Sequence, residues 1–156
     1  MSTKSNIDFQ PPIDVCNYIS SFLPFKQNQT ILEPTMGKGN LIDALKGKGN
    51  IITPNDFFTY NHINKYDWVV MNPPMSPMKT SYDILDACML LSDNIIALVP
   101  WLTMINGDKR TSKIMKFGLK SITHLPRNTF AGSRIQTCIL QLEKGYKGET
   151  IFKYLK

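Results

Sequence analysis

Cysteine is scarce and scattered in this sequence. Cys16, Cys88 and Cys138 lie far apart and form no Cys-x-x-Cys pair. A disulfide scaffold or a zinc site needs clustered cysteines, so neither is expected; an odd set of isolated thiols fits reduced side chains in a cytoplasm. Histidine is scarcer still: His62 and His124 have no ligand-spaced neighbours, and no metal is expected. The sequence has no transmembrane run, and its polar start, Met1 to Asn6, lacks the apolar core of a signal peptide. No membrane is therefore expected as a partner. Internal repeats and low-complexity tracts are also missing. What remains is one domain over residues 1–156, with residues 1–6 expected to be flexible.

The composition is that of a globular protein, with 42% hydrophobic and 19% charged residues. A net charge of +6 suggests an anionic partner, although charge alone does not separate nucleic acid from an acidic protein or a membrane surface.

The most informative stretch is Tyr66-Asp67-Trp68-Val69-Val70-Met71-Asn72-Pro73-Pro74-Met75. Its apolar run, residues 68–71, predicts a buried strand, and it stops at two prolines that have no N–H to give a ladder. The chain therefore leaves the sheet at a strand's carboxyl end, where open α/β sheets place ligands. Proline keeps its carbonyl. The turn presents acceptors, the Asn72 side-chain oxygen and the Pro73 carbonyl, and a rigid pair of neutral acceptors suits an exocyclic NH2 group.

Around this stretch the chain alternates strands and helices. Pro11 and Pro12 precede a helix expected over residues 13–23, with apolar positions at 15, 16, 19, 22 and 23. Residues 30–34 form a strand with Glu33 near its end, followed by a turn with Gly37 and Gly39 and a helix over residues 41–45. Glu33 would repel a pyrophosphate and suits a cationic or hydroxyl-bearing ligand. A second strand is expected over residues 51–56. Its final Asp56, beside Phe57 and Phe58, could bind a nucleoside; alternatively both rings are core, as is expected of Phe58. A helix over residues 81–91 and a strand over residues 94–100 come next. Asp108 would cap a helix over residues 109–117 that exposes Lys109, Arg110, Lys113 and Lys116. Strands over residues 121–125 and 135–142 flank a loop with Arg127, an exposed-looking Phe130 and Arg134, suited to phosphate and base contacts or simply solvated. Residues 150–155 would add an edge strand. The sum is a doubly wound α/β fold with a mostly parallel sheet and an antiparallel C-terminal edge.

Taken in order, Phe-Gln-Pro-Pro (9–12), Leu-Glu-Pro-x-x-Gly-x-Gly (32–39), Asp-Phe (56–57) and Tyr-Asp-x-Val-x-x-Asn-Pro-Pro (66–74) resemble the N6-adenine DNA methyltransferases of the gamma motif order. Leu125 to Phe130, succeeded by Thr137 to Lys144, is similar to that family's late hairpin motif. The resemblance implies a Rossmann-like domain, S-adenosylmethionine as cofactor and methyl transfer to adenine in DNA, as in restriction–modification. It implies that Gln10, Pro11 and Pro12 border the methionine end of the cofactor. Glu33, Thr35, Gly37 and Gly39 would line its methionine and ribose side, and Asp56 with Phe57 its adenine. Asn72 and Pro73, with Pro74 and Met75 completing the catalytic motif, would hold the target N6, and Phe130 would face a flipped base. Lys109, Arg110, Lys113, Arg127 and Arg134 are the expected nucleic-acid contacts.

Three departures stand out. Met75 occupies the position where the family has an aromatic residue. Only about 16 residues separate Gly39 from Asp56, where the family fits two strands and a helix. Finally, no target-recognition domain is evident, so DNA specificity would come from a specificity subunit, a homodimer, or not at all. The alternatives are transfer to RNA adenine or to a protein glutamine amide, and a catalytically impaired methyltransferase-like interaction subunit.

Overall fold

Short apolar segments set the sheet. In a computed structural model, which describes residues 10–35, 39–75, 77–130 and 132–155, seven strands pair: β1 (Thr30–Leu32), β2 (Asn50–Ile52), β3 (Trp68–Met71), β4 (Asn94–Pro100), β5 (Leu119–His124), β6 (Thr137–Glu143) and β7 (Ile151–Tyr154). The expected flexible start, residues 1–6, lies outside the described residues. The strand order is β2-β1-β3-β4-β6-β5-β7. Strands β2, β1, β3 and β4 run parallel, β6 is antiparallel to both β4 and β5, and β7 lies parallel to β5 at the outside. A short return from β5 forces β6 to run antiparallel. The next reversal carries β7 past β6 to the far side of β5, so the outermost pair is again parallel.

Helices α1 (Ile13–Ser20) and α2 (Asn40–Leu45) cover one face; α3 (Met78–Leu91), α4 (Leu102–Ile105) and α5 (Asp108–Phe117) cover the other. Successive strand residues alternate between them. Val69 and Met71 pack against Ile84, Leu85 and Cys88 of α3, whereas Val70 packs against Val15, Ile19 and Leu41. A strand covered on both faces reads as a continuous apolar run, which is why residues 68–71 and 94–100 are legible to the residue. All three cysteines are buried free thiols. Burial pushes each thiol up, Cys16 to about 11 and Cys138 to about 12.

Several boundaries differ from expectation. The first helix ends at Ser20. Strand β2 stops at Ile52, because Pro54 cannot donate to the ladder, so Asp56 sits in a turn and not at a strand end. Asp108 is the first residue of α5; Gly107 holds the cap position and no side chain caps the helix. Phe58 is not core: it is 58% exposed, and Phe57 is the buried ring.

The chain runs from β1 through α2 to β2 on one side, then returns to place β3 on the other side of β1. That reversal opens a crevice between the carboxyl ends of β1 and β3, the position where doubly wound sheets bind ligands. Their register is locked at the opposite end. Asp67 Oδ2 accepts from the Thr30 backbone N–H at 2.8 Å, and the Asp67 N–H donates to Thr30 Oγ1 at 3.1 Å.

Candidate active site

The residues just past β1 and β3 line the crevice. Glu33 succeeds β1 and is 1% exposed. Its Oε1 accepts from the Thr35 backbone N–H at 2.9 Å and from Thr35 Oγ1 at 3.2 Å; its Oε2 is buried without a hydrogen-bond partner. Burial raises this carboxyl to about 7, outweighing the lowering by the two Thr35 hydrogen bonds. Leaving one oxygen of a buried carboxyl unpaired is costly, and a cationic or N–H-bearing group reaching Oε2 would remove that cost.

Thr35 also reaches across the crevice. Its hydroxyl lies 2.9 Å from the Asn72 backbone carbonyl and shares its single proton between that oxygen and Glu33 Oε1, so one side chain connects the carboxylate after β1 to the turn after β3. Sequence reading places Thr35 beside a cofactor but gives no sign of this bridge. Asn72 is half-buried with Oδ1 shielded from solvent, Pro73 is buried and Pro74 exposed. Beneath the turn, Met75 is 2% exposed and belongs to the same apolar cluster as Val70, Leu98, Leu125 and Phe130.

One expectation changes at this point. Phe130 is 6% exposed, not a surface ring, because the loop after β5 folds it back onto the α1 face. Met75 likewise points into the core, so an aromatic residue there would enlarge a filled site instead of adding a stacking surface. Overpacking costs about 1–3 kcal/mol. Met75→Tyr is therefore expected to lower the melting temperature by roughly 2–10 °C in a circular-dichroism melt. An unchanged melt would place the side chain outside the core.

On the α1 side, the segment before the helix closes the crevice. Pro11 is buried and Gln10 and Pro12 half-buried. The Pro11 carbonyl accepts from Asn40 Nδ2 at 3.3 Å, which ties this segment to the first residue of α2. Asn40 is a contact that sequence reading misses. Gly39 caps α2 with φ 91°, a left-handed conformation that favours glycine, and a Cβ built there meets no atom of the described residues within 4 Å. The backbone here adjoins open space that a ligand can enter. Gly37 lies outside the described residues.

Asp56 is exposed, and its Oδ1 accepts from the Phe58 N–H at 3.0 Å, closing the turn after β2. Phe57 joins the α3-side core; Phe58 meets it edge-on at 5.3 Å, and His62 lies 5.2 Å from it. Among the described residues no strand pairs outside β2.

The expected cationic residues fall into two groups. On α5, Lys113 pairs with Asp86 at 3.0 Å, Arg110 stacks on the Tyr82 ring at 3.0 Å from its centroid, and Lys109 is exposed. Arg127 and Arg134 are exposed on the loop after β5. Among the described residues no cluster of His, Cys, Asp and Glu could hold a metal ion, and no helix is long and apolar enough to cross a membrane.

No protein-family model and no curated protein sequence matches this chain. Solved structures do match its fold. A modification subunit of a type I restriction enzyme from Vibrio vulnificus superposes with a TM-score of 0.76 at 16% identity, covering 99% of this chain and 48% of its own. A type I restriction-modification methyltransferase subunit from Streptococcus thermophilus gives 0.72 at 16% identity, covering 94% and 47%. A class I S-adenosylmethionine-dependent methyltransferase from Listeria monocytogenes gives 0.70 at 16% identity, covering 95% and 66%. The fold is thus the Rossmann-like one of S-adenosylmethionine-dependent methyltransferases, and this chain spans about half to two-thirds of those neighbours' lengths.

Proposed function

We propose that the chain transfers a methyl group from S-adenosylmethionine to the N6 amino group of adenine in DNA. The observation that carries this reading is the Thr35 bridge: a buried carboxylate with an unpaired oxygen and an acceptor-bearing turn lie on either side of one hydroxyl. The first suits a cation and the second an NH2 group. S-adenosylmethionine fits this donor set and supplies, when bound, a methyl group on a positively charged sulfur.

In this reading Glu33 Oε2 receives the cofactor's polar, cationic side, the open backbone at Gly39 accommodates it closely, and Gln10, Pro11 and Pro12 border it. Asp56 and Phe57 stand on the adenine side. Asn72 Oδ1 and the Pro73 carbonyl accept the two N6 hydrogens. Adenine's N6 lone pair is delocalised into the ring, and two acceptors in fixed positions favour a pyramidal nitrogen with its lone pair localised. The transfer then depends on positioning more than on a strong base. Because a duplex hides N6, the base must be unpaired or flipped out. Phe130 and Met75, both buried, would support the turn from beneath.

DNA as substrate is supported by the motif order and by the type I modification subunits among the structural neighbours. Their being subunits also supports a partner chain or a second copy as the source of sequence specificity. The second reading, a fold without catalysis that serves as an interaction subunit, draws on the sheet ending at β2 among the described residues. Calorimetric titration with S-adenosylmethionine tests the first step: saturable binding supports an enzyme, and no binding removes methyl transfer altogether.

Thr35 supplies a finer test. Thr35→Val keeps the shape and removes the bridging hydroxyl, so the turn loses its anchor while the cofactor's other contacts remain. Turnover is expected to fall roughly 10-fold, about one hydrogen bond's worth, with cofactor affinity within a few-fold of wild type. Thr35→Ser should restore the rate. Equal turnover in the valine variant would reduce the bridge to a structural contact.

A further inference from the structure

The carboxyl end of the sheet carries a second group of side chains that this mechanism does not use. Trp101 directly succeeds β4, His124 ends β5, and Phe152 and Tyr154 lie on β7. The register places Val99 beside Cys138, Cys138 beside His124, and His124 beside Tyr154. At this level β6 contributes only the short Cys138 side chain, and Trp101 Nε1 donates to His124 Nδ1 at 2.8 Å across it. An indole N–H only donates, so Nδ1 is the bare nitrogen and the imidazole is held against the indole.

The four rings form one contiguous stack-like row, in which His124 and Tyr154 are stacked and Trp101 is tilted against both His124 and Phe152. Phe152 and Trp101 lie 6.1 Å apart at 32°, Trp101 and His124 5.9 Å at 38°, and His124 and Tyr154 5.6 Å at 13°. Other ring pairs lie at steeper angles, Phe57 with His62 at 51°, Phe57 with Phe58 at 76° and Tyr18 with Phe22 at 81°. Both ends of the stack are open: Phe152 is 65% exposed and Tyr154 56%. Core packing does not account for a row of four rings whose two β7 members are more than half exposed.

We infer that this stack is a platform for unpaired nucleobases of the strand that carries the target. The inference rests on the reading of nucleic acid as substrate, and it names a surface outside the cofactor and target positions. Three observations favour bases over a protein partner. The stack lies at the same end of the sheet as the Asn72 turn, since β3, β4, β5 and β7 all point the same way. A cation stands beside it: the Gln136 backbone carbonyl accepts the Trp101 backbone N–H at 2.9 Å, and the Gln136 amide oxygen, turned to satisfy both groups, accepts from Arg127 Nε and Nη2 at 2.6 and 3.0 Å. Flat π-faces beside an exposed guanidinium match a base and its phosphate. Finally, a charge of +6 opposes a second copy, and Lys153 in the middle of β7 discourages strand-to-strand addition.

The test is a binding titration of the full chain with a short oligodeoxythymidylate and with an abasic strand of equal length. Wild type should prefer the strand with bases. Phe152→Ala with Tyr154→Ala should weaken oligodeoxythymidylate binding at least fivefold, the lower bound for losing one stacked base, with an unchanged salt slope because no charge is lost. Phe25→Ala, an exposed ring at the opposite end of the sheet, should bind as wild type does. Wild-type affinity in the double variant, or no preference for bases over the abasic strand, overturns the inference. So does a wild-type dimer that the double variant dissociates without change in oligonucleotide affinity, since the face would then be a protein interface. None of these measurements requires methyl transfer, so an inactive enzyme and an idle platform are told apart.

Discussion

Asn72→Ala is expected to lower methyl transfer about 100- to 1,000-fold, the usual cost of removing one preorganised hydrogen-bonding group at a reacting centre. Cofactor affinity should stay within a few-fold of wild type, because Glu33, Gly39 and the Pro11 segment are untouched. The turn itself should persist. Pro73 and Pro74 constrain it, and the Asn72 backbone carbonyl that Thr35 holds is still present in alanine. Single-turnover rates together with calorimetric affinities separate the two effects. A parallel loss of cofactor affinity would move Asn72 from the acceptor side of the crevice to the cofactor side.

Glu33→Gln should act in the opposite way, on binding before chemistry. Losing a charge-assisted contact costs roughly 10- to 100-fold in affinity for a cationic ligand. The pH profiles carry the sharper signature. The Glu33 carboxyl is raised from 4.5 in the unfolded chain to about 7 in the fold. Its contribution to stability is therefore fully present below 4.5 and is lost as pH rises through 7, because only the folded state must ionise a buried group. The wild type should lose up to about 3 kcal/mol relative to the glutamine variant between pH 4.5 and 8, at 1.36 kcal/mol per unit. Over the same interval wild-type affinity for S-adenosylmethionine should rise, as the carboxylate that attracts it forms. The variant should show neither trend. Chemical denaturation and calorimetry across pH measure both, and a wild-type affinity independent of pH would remove Glu33 from the cofactor's contacts.

Much of this architecture is legible in the sequence because local rules and tertiary context agree. Trp68 to Met71 and Asn94 to Pro100 are apolar runs bounded by polar residues or proline, and both occur as read. The strand after α2 reads too long, since it is extended to Asp56 although the backbone cannot pair through Pro54. Phe57 and Phe58 differ by one position, and only the turn closed by Asp56 decides which ring is buried. Phe130 looks exposed among arginines because composition does not reveal that its loop folds back over Met75. The Thr35 bridge joins residues 37 positions apart through a hydroxyl and a backbone carbonyl, and neither leaves a mark on periodicity. The ring stack is hidden for the same reason: Trp101, His124 and Tyr154 come together only once β6 inserts between β4 and β5 and β7 crosses to the outside.

The central claim is that Asn72 presents an adenine amino group to a methyl donor held above Glu33 and Gly39. The measurement that tests it most directly uses S-adenosylmethionine with a labelled methyl group, incubated with the full chain and mixed DNA, RNA and protein, with digestion and identification of every labelled product. The account predicts label in N6-methyldeoxyadenosine from wild type, about 100- to 1,000-fold less from Asn72→Ala, and none on RNA or protein. Label on any other atom, equal label from the alanine variant, or none from a wild type that binds the cofactor would contradict it.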